Sequence, residues 1–140
     1  MEAVLFIGMP AVGKSTFYRE RFFKTHVRIN LDMLKTRNRE RILFEACLKA
    51  KQSFVVDNTN PTAADRLRYI EAARTAGFSV IGYYFQSRMQ DSLLRNEQRS
   101  GRERVPAAAL RGIRNKIQPP GLQEGFDELY YVRIDKKTLG

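Results

Sequence analysis

Eight residues near the start of the chain, Gly8-Met9-Pro10-Ala11-Val12-Gly13-Lys14-Ser15, carry the spacing G-x4-G-K-S. Glycines at those two places let the backbone turn tightly and present N–H groups to a phosphate. A helix beginning near Lys14 aims the positive end of its dipole at the same oxygens. Lys14 is then placed to reach β- and γ-phosphates, and Ser15 to offer a hydroxyl to Mg²⁺. Gly8, Ala11, Val12, Gly13, Lys14, Ser15 and Thr16 are the expected nucleotide contacts, with ATP and Mg²⁺ as the expected ligands. The motif is silent about the acceptor of the phosphate.

Two acidic positions sit where strands are expected to end. Asp32 follows Val27-Arg28-Ile29-Asn30, and Asp57 closes Phe54-Val55-Val56 and opens Asp57-Asn58-Thr59-Asn60-Pro61. A hydroxyl attacking a γ-phosphate gains from a carboxylate that takes its proton and aligns it. Asp32 is the better candidate for that base, with a helix N-cap as its plain alternative. Asp57 suits magnesium held through water. Asn58, Thr59 and Asn60 are either turn and cap residues or contacts to the acceptor. Further along, Arg95, Arg99, Arg102 and Arg104 precede Val105-Pro106. Arg95 and Arg99 stand four apart on one face of a helix, and planar guanidinium groups suit transferring phosphoryl oxygens. Their plain alternative is a solvated basic helix. Arg111 and Arg114 are weaker candidates for adenine stacking or the outer rim.

The elements that must position these residues alternate. Short apolar runs at 4–7, 26–30, 53–57, 80–85 and 128–134 read as strands, and the segments 14–24, 38–51, 61–76, 88–99 and 107–117 as helices. Pro61 fits a first helical position, with Asn60 as its cap. The pattern predicts a three-layer α/β domain of the P-loop NTPase type, with a five-stranded parallel sheet and a helical lid near 95–106. Tyr83, Tyr84 and Phe85 lie in a strand run and are expected in the core and at the sheet edge rather than under bases. Cys47 falls on an apolar helical face and is expected to be a buried thiol.

The chain has 140 residues, room for a single domain over 1–140, and 43% hydrophobic residues, enough for a core. No signal-like start or membrane-length apolar run is visible, and one cysteine allows no internal disulfide, so a cytoplasmic protein is expected, with no membrane partner. Nothing matches a Cys/His metal site. Lys and Arg number 25 against 15 Asp and Glu, a formal charge of +10. That balance favours a polyanionic partner over a merely solubilising surface only when motifs agree.

The order of Gly8–Ser15, Ile29-Asn30-Leu31-Asp32, Asp57-Asn58-Thr59-Asn60-Pro61 and the arginines before Val105-Pro106 resembles the kinase domains of polynucleotide 5′-hydroxyl kinases. The likeness runs from residue 4 to about 134 and includes Pro119-Pro120-Gly121-Leu122-Gln123-Glu124-Gly125-Phe126. It implies transfer of the ATP γ-phosphate to the 5′-OH end of DNA or RNA in end healing, with Asp32 as general base. Lys35 would grip the acceptor's 3′-phosphate, and Arg99, then Arg102, would stabilise the transition state from the lid. Two positions depart from the family pattern: Leu31 stands where Arg is frequent, and Lys35 replaces an Arg. Arg37 and Arg39 offer neighbouring charge. With no second domain expected, no linked 3′-phosphatase is expected either, and separate phosphatase and ligase proteins would be the partners. A small-molecule kinase would use the same loop, base and arginines, and a nucleotide-switched binding module the loop alone.

Overall fold

The computed structural model describes residues 1–10, 12–86 and 106–133. Five strands form one sheet: β1 (Glu2–Ile7), β2 (Val27–Ile29), β3 (Phe54–Asp57), β4 (Ser79–Phe85) and β5 (Glu128–Val132). Their order is β2-β3-β1-β4-β5, and every pairing is parallel. The helices are α1 (Lys14–Arg21), α2 (Leu31–Leu34), α3 (Arg37–Ala50), α4 (Ala63–Thr75) and α5 (Ala107–Lys116), with a 3₁₀ turn at Leu122–Glu124. The expected fold class is the one found.

β1 is apolar on both faces because both are covered, as a central parallel strand requires. Ala3, Leu5 and Ile7 pack with Phe44 and Cys47 of α3 and with Tyr69, Ile70 and Ala73 of α4. Val4 and Phe6 pack on the other face with Tyr18 of α1, Phe22 and Leu110 of α5. The second layer is an aromatic cluster, with Phe6 edge-on to Phe17, Tyr83 and Phe85 at 5.7, 6.0 and 5.1 Å. Tyr83 and Phe85 are therefore packing residues. Cys47 is buried, and burial raises its thiol pKa.

From β1 the chain first builds β2 and β3 on one side, then crosses to β4 and β5 on the other. The sheet reverses its winding beside β1, and the carboxyl ends of β1, β3 and β2 lie side by side at that switch point, where α/β sheets hold ligands. Register places Phe6 opposite Asp57 and Val56 opposite Ile29, so the loops leaving these three strands start at one level.

Two expectations are corrected. Asn60 does not cap a helix beginning at Pro61: α4 begins at Ala63, and the Thr62 side chain caps it by accepting from the Asp65 amide at 3.1 Å. Asn60 instead adopts a left-handed conformation, φ 46°, and is buried. The short α2 was not anticipated, being too brief to leave a period in the sequence. The expected 88–99 helix and the arginines Arg95, Arg99, Arg102 and Arg104 fall outside the described residues.

Candidate active site

The donor side follows from local backbone geometry. Gly13 precedes α1 with φ 92°, a conformation that side chains with a Cβ avoid. A Cβ on Gly8 would stand 3.0 Å from Cβ of Phe85, so this turn fits closely against β4. Val12 and Met9 are fully buried and anchor the loop from within, while Ala11 lies outside the described residues. Lys14 arches back over the loop, its Nζ donating to the Gly8 carbonyl at 2.8 Å and to the Asn58 carbonyl at 3.2 Å. Ser15 and Thr16 follow in the first turn of α1. Thr16 Oγ1 accepts weakly from Arg19 at 3.4 Å.

The segment after β3 joins this loop to the start of α2. The Gly8 amide donates to the Thr59 carbonyl at 3.1 Å. Asn60 Nδ2 donates to the Phe6 carbonyl at 2.7 Å, directing that side chain into the sheet. Asn58 faces the other way: its Oδ1 accepts from the Leu31 amide at 2.9 Å, and its Nδ2 donates to Glu40 at 2.8 Å. Asn58 therefore contacts the phosphate-loop lysine through its carbonyl and the start of α2 through its side chain.

α2 carries Asp32. The cap of this helix is Asn30, whose Oδ1 accepts from the Met33 amide at 2.9 Å and whose Nδ2 donates to the Asp57 carbonyl at 2.6 Å. The capping role considered for Asp32 is thus filled by Asn30, and Asp32 stands exposed in the first turn. Lys35 ends the helix with φ 75°, exposed to solvent. Of its neighbours, Arg37 pairs with Glu40 at 3.0 Å and Arg39 reaches the Leu34 carbonyl at 3.4 Å.

Three features escaped the sequence reading. Arg28, in the middle of β2, donates from Nε to Asp57 Oδ2 at 2.9 Å and from Nη2 to Ser15 Oγ at 3.0 Å. A cation between Val27 and Ile29 in a short apolar strand run was the signal available, since a charge that is partly buried persists when it is paired. Glu40 is the second. It is buried on α3, where it accepts from Asn58 and from the Tyr69 hydroxyl at 2.7 Å and pairs with Arg37 and Arg68. Burial alone would raise the Glu40 pKa, but hydrogen bonds from Tyr69, Asn58 and Arg37 outweigh it and hold the carboxyl below its ordinary value. Tyr69 is pushed up to about 12 by burial and by its bond to Glu40.

The third is Arg66, fully buried on α4. Its Nε and Nη2 grip the Glu124 carboxylate at 2.8 and 3.1 Å, and its Nη1 donates to the Asn60 carbonyl at 2.9 Å. Gln118 adds a bond to the Ala63 amide at 2.9 Å. The segment 118–124 thus clasps the 60–63 turn from behind. Arg111 and Arg114 lie exposed on α5.

The oxygen donors fit magnesium. Ser15 Oγ and the Asp57 carboxylate are brought within reach of one guanidinium, and hard oxygen ligands shared with phosphates are what Mg²⁺ selects. No cluster of three His, Cys, Asp or Glu capable of holding a metal unaided occurs among the described residues.

A parallel sheet in this order, with a glycine-turned phosphate loop leaving its central strand, defines a nucleotide-binding domain of the P-loop kinase type. The chain belongs to a family described as an AAA domain, whose model matches residues 32–120. It is 30% identical over 135 residues to the bifunctional polynucleotide phosphatase/kinase of Schizosaccharomyces pombe, covering 94% of this chain and 33% of that protein. A protein of Acanthamoeba polyphaga mimivirus assigned the same bifunctional name is 35% identical over 147 residues, covering 99% and 35%. The chain therefore spans about a third of the length of these two relatives. The resemblance to polynucleotide kinases read from the motifs is matched by these relatives. Among solved structures, Chaetomium thermophilum Kti12 in complex with ADP-AlF3 superposes with a TM-score of 0.72 at 14% identity, covering 95% of this chain and 89% of that one. A gluconokinase from Sinorhizobium meliloti superposes with a TM-score of 0.69 at 14% identity, covering 96% and 83%. No helix among the described residues is long and apolar enough to cross a membrane.

Proposed function

We propose that this chain is a single kinase domain that transfers the γ-phosphate of ATP to the 5′-hydroxyl end of DNA or RNA. The observation that carries the reading is the position of Asn58. One residue receives the phosphate-loop lysine on its carbonyl and the α2 amide of Leu31 on its side chain. An exposed carboxylate on α2, Asp32, is thereby tied to the loop that binds the donor. Acid and donor loop are coupled through rigid backbone at strand ends, as an in-line transfer requires.

In this reading the loop amides and Lys14 hold the β- and γ-phosphates. Asp32 accepts the proton of the attacking hydroxyl as the new O–P bond forms and the bond to the β-phosphate oxygen breaks, leaving ADP. Ser15, with Asp57 through water, would hold magnesium. Held there, magnesium would supply positive charge against the charge that builds on the transferring phosphate. Thr59 and Lys35 would contact the acceptor, Lys35 as a point charge for the acceptor's backbone phosphate. Asn58 and Asn60 serve the site by fixing its backbone. Arg95 and Arg99 would contact the nucleotide, and Arg99, then Arg102, is the transition-state arginine. The +10 charge suits a polyanionic acceptor. The two relatives named as bifunctional join a phosphatase to a kinase by name, which suits a kinase that works in nucleic-acid end repair.

The test is a transfer assay with γ-phosphate-labelled ATP. 5′-OH DNA, 5′-OH RNA and a panel of small alcohols, sugars and nucleosides are offered side by side. Label on an oligonucleotide end at far lower acceptor concentration than on any small alcohol is the expected result. Label only on a small alcohol overturns the acceptor, and nucleotide binding without transfer to any acceptor overturns the kinase reading.

A further inference from the structure

Arg28 does more than neutralise a buried acid. The Asp57 side chain is 2% exposed and needs a positive neighbour, which Arg28 supplies with Nε and Nη2 at 2.9 and 2.8 Å from the same Oδ2. A lysine or a single bond would meet that need. Instead the guanidinium extends its Nη2 to Ser15 Oγ at 3.0 Å, on a different element. One cation thus touches both oxygens that the nucleotide reading assigns to magnesium. A guanidinium bonded to Ser15 Oγ and Asp57 Oδ2 opposes, by like charge and by occupying the Ser15 oxygen, a magnesium drawn to Ser15 directly and to Asp57 through water. The Arg28 side chain is 27% exposed, so Nη2 can leave Ser15 toward solvent while Nε keeps Asp57.

The geometry points to Arg28 as a built-in cation that holds Ser15 and Asp57 together and competes with magnesium for them. It thereby sets the metal concentration at which the loop accepts a metal–nucleotide complex. Nucleotide itself would be held by loop amides and Lys14, whereas the hydrogen bonds of Arg28 go to Asp57 and Ser15, so its contribution falls on metal dependence more than on phosphate affinity. The inference rests on the reading of the loop as a magnesium–nucleotide site.

Binding of a fluorescent ADP analogue to the full chain, followed across magnesium concentrations and in EDTA, tests it. Arg28→Met is expected to lower the magnesium midpoint roughly tenfold, the equivalent of one charge-assisted hydrogen bond. Affinity in EDTA should stay within about twofold. Arg28→Lys, which keeps a charge but cannot fork between two oxygens, should also lower the midpoint, by less. An unmoved or higher midpoint in the Met variant overturns the inference. So does an equal loss of affinity in EDTA and in magnesium, which would make Arg28 a phosphate ligand. Where circular dichroism shows the Met variant unfolded, the Lys variant decides by the same criterion. Wild-type protein that binds no nucleotide under either condition takes down the site reading and this inference together. Magnesium-dependent wild-type binding with unmoved variants sinks the inference alone.

Discussion

The donor and acceptor sides of this site are built in opposite ways. The phosphate loop is encoded locally: Gly8, Gly13, Lys14 and Ser15 lie within eight positions, and the lysine bonds a carbonyl six residues back as well as that of Asn58, 44 positions on. The acceptor side is assembled from a distance. Asn58 reaches the Leu31 amide across 27 positions and Glu40 across 18, Asn60 reaches Phe6 across 54, and Arg66 reaches Glu124 across 58. A phosphate can be recognised by backbone amides and one charge, which a short spacing specifies completely. Placing a base against an incoming hydroxyl requires three strand ends to be aligned, and no contiguous stretch encodes that. The local side should therefore fail by losing chemistry, and the assembled side by losing position or stability first.

The sharpest contrast pairs Lys14→Ala with Asp32→Asn. Each should cut transfer by about 10²–10³-fold, the scale for removing a preorganised charge or a general base. Equilibrium binding of ATP separates them: it should collapse for Lys14→Ala and stay near wild type for Asp32→Asn. Equal loss of ATP binding in both would mean that Asp32 belongs to the donor side, and the division drawn here would break.

Glu124→Gln should cost about 3 kcal/mol in chemical denaturation, because it removes the counter-charge of a fully buried Arg66. Its effect on catalysis should follow from displacement of the Asn60–Pro61 turn, so ATP affinity should fall less than acceptor turnover. A variant as stable as wild type would show that the clasp contributes nothing to the acceptor side.

Glu40 supplies a pH test. Its folded-state pKa lies below the ordinary carboxylate value of 4.5, so the folded state favours the charged form. The stability this provides is fully present above about pH 4.5 and is lost as pH falls through the lower, folded value. Thermal melts between pH 7 and pH 3 should therefore show a steeper acid decline for wild type than for Glu40→Gln, which lacks the ionisable group. Parallel curves would remove Glu40 from the account. At the small end, Arg41→Ala breaks an exposed pair with Glu45 at 3.4 Å and should change stability by about 0.3 kcal/mol or less.

The five strands, the parallel sheet, the longer described helices, the buried thiol at Cys47 and the packing of Tyr83 and Phe85 were legible because hydrophobic periodicity reports burial directly. The loop was legible because its spacing is its mechanism. Asn60 was misassigned to a helix cap because Asn before Pro is a common capping pattern, whereas here its amide satisfies the Phe6 carbonyl at the end of a neighbouring strand. Arg28, Glu40 and Arg66 left little trace, since a charged residue in a sequence looks solvated until its partner is known.

By itself, then, the sequence determined the strands and the longer described helices, the phosphate-loop spacing at Gly8–Ser15, and that an acidic residue follows the second strand. Only the tertiary structure decided that Asn30 ties the start of α2 to the Asp57 carbonyl, that Asn58 couples that helix to Lys14, and that one guanidinium joins Ser15 to Asp57. The reason is range: backbone turns and apolar periods are encoded within a few residues, while polar side chains find their partners only when the sheet brings distant strand ends together.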